Sequence, residues 1–249
     1  MLFRSRFQCA AEAHLRLQVK DAQLRATLTP DYLLGCKRVL LSNDFYPALQ
    51  RPQVTVRKTA LAQIDGSTLV GADGRRDQAD TIVLCTGFHV SDPPIATRIH
   101  GREGRSHAHV WAGSPTAFRG TTVHGFPNCF LVLGPNLGIG HNSAFLVIEA
   151  QLDYLVGALR YMAAYGVERL EVRAEEQAAY NERIQRGLAG SVWNTGGCQS
   201  YYLDANGRNS ICWPGSTYAM RDMLRRFDSE SYDPRLASAL PSAARTSAG

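Results

Sequence analysis

The sequence predicts an α/β fold, and three observations carry that prediction. "DTIVLCTGF" (Asp80 to Phe88) is a continuous apolar run, the pattern of a strand buried on both faces of a sheet. "LVLGPNLGIGHNS" (Leu131 to Ser143) carries a second apolar run into a turn with three glycines and a proline. "AFLVIEAQLDYLVGALRYM" behind it has the apolar spacing of a helix. A strand that ends in glycines and opens into a helix aims backbone N–H groups at a phosphate or another electron-rich ligand.

Taken in order, "AEAHLRLQVKDAQLRATL" (residues 11 to 28) has the polar-rich periodicity of one exposed helix, stopped by Thr29-Pro30. "KRVLL" (Lys37 to Leu41) and "VTVRK" (Val54 to Lys58) read as strands around "NDFYPALQ", a helical turn. Asp65-Gly66 and Asp73-Gly74 punctuate short strands as such pairs do in hairpins. The strand Asp80 to Phe88 is followed by a loop rich in His, Gly and Pro from Ser91 to Pro127. Then come the strand "CFLVLGP", the glycine turn, the helix to about Tyr165, a strand "RLEVR" and a helix "EEQAAYNERIQRGLAG". From Pro234 the Ala/Ser/Pro-rich end reads as a disordered tail.

Bulk properties narrow the function. The 249 residues suffice for one large or two small domains, and 45% hydrophobic with 20% charged residues is ordinary for a globular protein. The net charge of +5 is spread out, and its densest cluster, "RDMLRRFD" (Arg221 to Asp228), has no interleaved aromatic platform. It reads as a solvated helix face, which argues against a nucleic-acid partner. No apolar run approaches the ~18 residues of a membrane span. Glu12 and His14 interrupt the N-terminal stretch, so it does not read as a signal peptide. The cysteines at 9, 36, 85, 129, 198 and 212 form no CxxC pair. They read as small buried hydrophobes of a reducing cytosol, and the expected location is cytoplasmic.

"GIGHNS" (Gly138 to Ser143) matches G-x-G-x-x-G except for Ser143, and Glu171 in "RLEVR" could be drawn as the ribose-binding acid of a plain NAD(P)-binding domain. Against that, the fingerprint belongs to the first strand of its βαβ unit, and its third glycine is missing. A glycine-rich connection with no ligand is a further alternative. His107 and His109 could face one side of a strand as metal ligands. Without a neighbouring carboxylate or cysteine they read as solvated loop histidines, so no metal site is expected.

"LCTGFHVSDPP", "GCKRVLLSNDFYPAL", "GFPNCFLVLGPNLGIGHNS", "WNTGGCQSYYLD" and "GRNSICWPGST" stand in an order that resembles the C-terminal half of the Baeyer–Villiger and related flavin-containing monooxygenases. The resemblance runs from Asp31 to Asp228. It implies a partial two-dinucleotide-binding-domain flavoprotein fold: residues 1–35 the end of a helical segment, 36–84 the last part of an NADP domain, 85–233 the second half of an FAD domain, and 234–249 the tail.

The resemblance also implies FAD and NADP as cofactors. It further implies oxygenation of a ketone or soft heteroatom by O2 through a C4a-peroxyflavin. Arg38 corresponds to an arginine that reaches the flavin, with Lys37 beside it, and a permanent guanidinium suits an anionic peroxide. The alternative for Arg38 is a surface strand residue paired with Asp44. Thr86 and Gly87 would lie at the interdomain crossover. Asn136, Gly138, Gly140, His141, Asn142 and Ser143 would bring a helix N-terminus to the negatively charged edge of reduced flavin. His141 would alternatively only cap the helix. Trp193 would belong to a loop that closes over a small-molecule substrate, or be a buried indole. The G-x-G-x-x-G turns for the adenine half of FAD and for NADP are not among these residues. The chain is therefore expected to be incomplete alone, requiring a missing N-terminal half or self-associating. The rival readings are a non-catalytic interaction module and a plain NAD(P)-binding domain.

Overall fold

The computed structural model describes residues 2–88, 90–140 and 142–236. Two compact units divide the chain: residues 1–34 with 40–88, and residues 35–39 with 89–249.

The first unit opens with helices α1 (Leu2–Gln18) and α2 (Ala22–Leu28). The sequence predicts one helix here, but the chain breaks at Asp21, whose carboxylate caps α2 by accepting from Leu24 N–H at 2.6 Å. The Arg25 guanidinium holds the break by donating to the Val19 carbonyl at 2.8 Å. The short helix α3 (Phe45–Leu49) forms where a helical turn is expected, and Tyr46 sets its ring 5.7 Å from that of His14 in α1. Strands β1 (Leu61–Asp65), β2 (Thr68–Gly71) and β3 (Arg76–Gln78) then pair antiparallel in sequence order. Both Asp-Gly pairs stand at the turns, Asp65 ending β1, with Gly66 and Gly74 at φ 58 and 80.

Three of the expected strands do not form among the described residues. Residues 37–41, 54–58 and 80–88 contain no strand, and Leu41, Val83 and Phe88 are 96%, 80% and 93% exposed. Their composition favours a sheet, but a strand needs a partner backbone, and the described residues offer none alongside them.

The second unit contains two short 3₁₀ turns (Pro94–Thr97 and Arg102–Gly104), α4 (His107–Trp111), α5 (Ala144–Tyr165), β4 (Val167–Val172), α6 (Ala174–Leu188), α7 (Val192–Thr195), α8 (Thr217–Leu224) and β5 (Tyr232–Leu236). Helix α5 spans the predicted segment and stops at Gly166, whose φ of 63 gives the left-handed C-cap that glycine adopts without strain. Its inward face, Val147, Ala150, Gln151, Tyr154 and Ala158, packs in the main core with Leu170 and Val172 of β4, Tyr180, Ile184 and Leu188 of α6, and Met220 and Leu224 of α8. Strand β5 pairs antiparallel with β4, Val172 opposite Tyr232. The chain is thus still in a strand at Pro234 to Leu236, where the sequence predicts the tail to begin; residues 237–249 lie outside the described residues.

Residues 129–135, expected as a strand, run instead as a loop pinned by Gln151. The Gln151 side chain accepts from Leu133 N–H at 2.7 Å and donates towards the carbonyls of Gly120 and Leu131, each at 3.1 Å. One buried amide on the apolar face of α5 does here what a neighbouring strand does in a sheet.

The cysteines also depart from expectation. Cys36 and Cys198 form a disulfide, while Cys9 and Cys85 are exposed. A bridge between residues 162 apart leaves no trace in local spacing. Among the described residues no helix is long and apolar enough to cross a membrane.

Candidate functional site

The glycine turn is held from below by an asparagine scaffold. Asn136, fully buried at φ 61, donates through Nδ2 to the carbonyls of Asn209 at 2.8 Å and Cys212 at 3.1 Å. Asn209 in turn accepts on Oδ1 from Cys212 N–H at 2.9 Å and donates to Asn194 Oδ1 at 2.9 Å. The Asn side chains of "GPN", "WNT" and "GRNS" therefore tie three segments into one frame.

Gly138 lies on that frame as a strand-like bridge. Its N–H donates to the Ile211 carbonyl at 2.7 Å, and its carbonyl accepts from Trp213 N–H at 2.8 Å. A Cβ at Gly138 would stand 2.7 Å from the Ile211 oxygen, so close backbone approach within the protein requires this glycine. Gly140 is less constrained; its Cβ would meet the Trp193 indole at 3.6 Å. Trp193, half-buried in α7, packs on the core with its ring 6.2 Å from that of Tyr202.

Beyond the turn, α5 begins at an N-cap that uses two of the candidate side chains. Ser143 Oγ accepts from Phe145 N–H at 3.2 Å, while Asn142 Oδ1 accepts from Ser143 N–H at 2.8 Å and Nδ2 donates to Thr217 Oγ1 at 3.0 Å. Arg38 reaches the turn from a segment a hundred residues away, Nη1 donating to the Ile139 carbonyl at 3.3 Å. The alternative of Arg38 as a strand residue fails in one respect, since residues 38–42 form no strand.

These groups border a cavity of about 700 Å³ within the second unit. Arg38, Gly138, Ile139, Asn142 and Ser143 line it, with Ile95, Leu131, Phe145, Tyr201 and Ile211 among its mostly apolar walls. Asn136 lies in the frame beneath. Lys37 is exposed. Thr86 and Gly87 belong to the first compact unit, where both are exposed. His141 lies outside the described residues.

Several lining residues carry no signal of their own in the sequence. Tyr202 is buried, and burial raises its phenol above the ordinary range. His107 also lines the cavity, and contrary to expectation it is no solvated loop residue. It is fully buried in α4, stacked 4.7 Å from Trp111, with the tilted ring of Phe126 3.8 Å away. Neither ring nitrogen has a hydrogen-bond partner among the described residues, and burial lowers its pKa to about 4. The imidazole is therefore neutral at pH 7. Among the described residues no three His, Cys, Asp or Glu side chains cluster as a metal site.

Two observations disfavour a plain dinucleotide fingerprint. No strand leads into the turn, and the Glu171 carboxylate is occupied, accepting from Arg102 Nη2 at 2.8 Å and Gly125 N–H at 2.9 Å.

No family model matches the chain. It is 48% identical over 223 residues to a Baeyer–Villiger monooxygenase of Streptomyces coelicolor, covering 89% of this chain and 43% of the relative. It is 42% identical to one of Pseudomonas aeruginosa, covering 90% of this chain and 43% of that protein. Among solved structures, an oxidised steroid monooxygenase bound to NADP superposes with a TM-score of 0.78 at 26% identity, over 94% of this chain and 46% of its own. OTEMO in complex with FAD and NADP superposes with a TM-score of 0.81 at 19% identity, over 93% and 44%. The fold is thus part of a flavin-monooxygenase fold, and the chain spans under half the length of the curated relatives it matches. Along nine-tenths of its length, the chain is a homologue of a segment of the Baeyer–Villiger monooxygenases.

Proposed function

We propose that this chain forms part of an NADPH- and O2-dependent flavin monooxygenase, and that the cavity bordered by Arg38 and the glycine turn receives the flavin ring and the substrate. The observation that carries the reading is the convergence of a guanidinium, a glycine turn and the first turn of a 22-residue helix on one apolar space. The residues fit a flavin: the walls suit a flat, weakly polar ring, and the cation and helix N-terminus suit the negative charge of its reduced form. Bound FAD supplies hydride acceptance from NADPH and activation of O2.

This chain's own residues do the positioning. Arg38 offers a permanent charge and a planar fork of donors to a developing anion. The hydrogen bond to the Ile139 carbonyl fixes one edge of that fork at the turn. Apolar walls from Ile95, Leu131, Phe145 and Ile211 exclude water, and their composition suits an apolar ketone or a soft heteroatom such as a thioether. Dinucleotide anchoring falls to polypeptide outside this chain.

Co-expression with the portion of the Streptomyces coelicolor relative that this chain does not match tests the reading. The expected result is a yellow complex that oxidises NADPH and oxygenates cyclohexanone or a thioether. A co-purifying complex without flavin and without NADPH oxidation would overturn it.

A further inference from the structure

Cys36 and Cys198 are bonded with their Cα atoms 6.1 Å apart, within the span a disulfide requires. Both ends of this bridge adjoin the cavity machinery. Cys36 is fully buried two positions before Arg38. Cys198 is half-buried and follows α7, the helix that sets Trp193 against Gly140. The two segments are closely fitted, since a Cβ at Gly196 would stand 2.8 Å from Cys36 Sγ. Elsewhere in this unit, burial raises the thiols of Cys129 and Cys212, which makes them poor nucleophiles. The bridge is therefore placed where closing or opening it acts on how Arg38 and Trp193 are held.

We propose that Cys36 and Cys198 form a reversible clamp, closed by hydrogen peroxide and opened by a dithiol. In the closed state it fixes the Arg38 segment to the segment that follows α7 and Trp193. In closing, the sulfur of Cys198, the less buried of the two residues, attacks one peroxide oxygen, the O–O bond breaks, and the thiol proton leaves with hydroxide as water. Cys36 sulfur then attacks the resulting sulfenic sulfur, the S–O bond breaks, and the hydroxyl leaves with the Cys36 proton as a second water. Two electrons from the two sulfurs thus reduce one peroxide to two waters. Reduction reverses the bond at the expense of a dithiol, which becomes a disulfide. Such bridges are commonly transient and regulatory in reducing compartments. The clamp rests on the proposed function only for the source of peroxide, which uncoupled NADPH oxidation releases.

The test uses the whole chain with added peroxide and no flavin, so its outcome is independent of monooxygenase activity. Fully reduced protein should take six maleimide labels under denaturing conditions, one for each cysteine in the sequence. After stoichiometric peroxide it should take four, with a Cys36–Cys198 peptide in the digest and full relabelling after dithiothreitol. Trypsin should cut after Lys37 and Arg38 about tenfold more slowly in the closed state, because cleavage requires local opening. Cys198→Ser, at the half-buried end, should abolish both the label loss and the trypsin protection. Six labels after peroxide, a bridge through other cysteines, or equal cleavage in both states would overturn the proposal.

Discussion

Arg38 Nη1 donates to the Ile139 carbonyl across 3.3 Å, joining residues 101 positions apart in the chain. Ile139 stands between Gly138, which is locked to Ile211, and Gly140, which lies under Trp193. The guanidinium is thereby referenced to a turn that backbone hydrogen bonds fix on Ile211 and Trp213. Under the proposed function the charge is effective only if it is preorganised, and this bond supplies one fixed edge.

Gly138 and Gly140 should differ sharply in tolerance. Gly138→Ala forces a Cβ against the Ile211 oxygen, and since its φ is not positive, crowding alone sets the cost. The expected loss is about 1–3 kcal/mol, read from the urea midpoint. Gly140→Ala meets Trp193 at an ordinary 3.6 Å and should cost well under that.

His107 should make the fold acid-sensitive. Its pKa is lowered from 6.5 to about 4, so between those values the unfolded chain takes up a proton that the folded chain refuses. Stability from this group is complete above pH 6.5 and falls as pH drops towards 4, by on the order of 3 kcal/mol. His107→Leu should flatten that part of the stability–pH curve. At pH 7 it should be close to neutral, because neither ring nitrogen makes a hydrogen bond that would be lost. Parallel urea titrations of wild type and variant at pH 7 and pH 4.5 measure the difference.

The isolated chain should be colourless and self-associating. Leu40, Leu41, Val83, Leu84 and Phe88 expose apolar side chains, and covering each is worth roughly 1.5–3 kcal/mol at full burial. Light scattering coupled to size exclusion should show oligomers, and flavin-band absorbance should be negligible. Leu84→Lys with Phe88→Ser should shift the population towards monomer. A compact yellow monomer would contradict the prediction.

Elements specified by neighbouring residues were legible in the sequence. The Asp-Gly hairpins, α5 to about Tyr165, β4 and α6 follow from local periodicity and turn chemistry. What the sequence withheld was pairing. Residues 81–88 read as a strand because β composition is local, whereas the backbone that completes a sheet is not. The exposure of their apolar side chains follows from the same cause. Gln151 and Asn136 were invisible as scaffolds, because their partners lie 18 to 76 residues away in the chain, and Asn209 because it reaches Asn194 in another segment. His107 was misjudged because its segment reads as an irregular loop, whereas a short helix sets Trp111 one turn on against its ring and Phe126 meets it from a distant segment.

The central claim is that Arg38 acts on the oxygenation step from a cavity whose cofactor is anchored elsewhere. The decisive measurement is product formed per NADPH consumed in the reconstituted complex, for wild type, Arg38→Ala and Arg38→Lys. Arg38→Ala should keep its flavin yet lose about two to three orders of magnitude in oxygenation rate, the usual cost of removing one preorganised donor. NADPH oxidation should continue with release of hydrogen peroxide. Arg38→Lys should recover little, because a point charge does not reproduce the planar fork. Unchanged coupling and rate in Arg38→Ala would contradict the account.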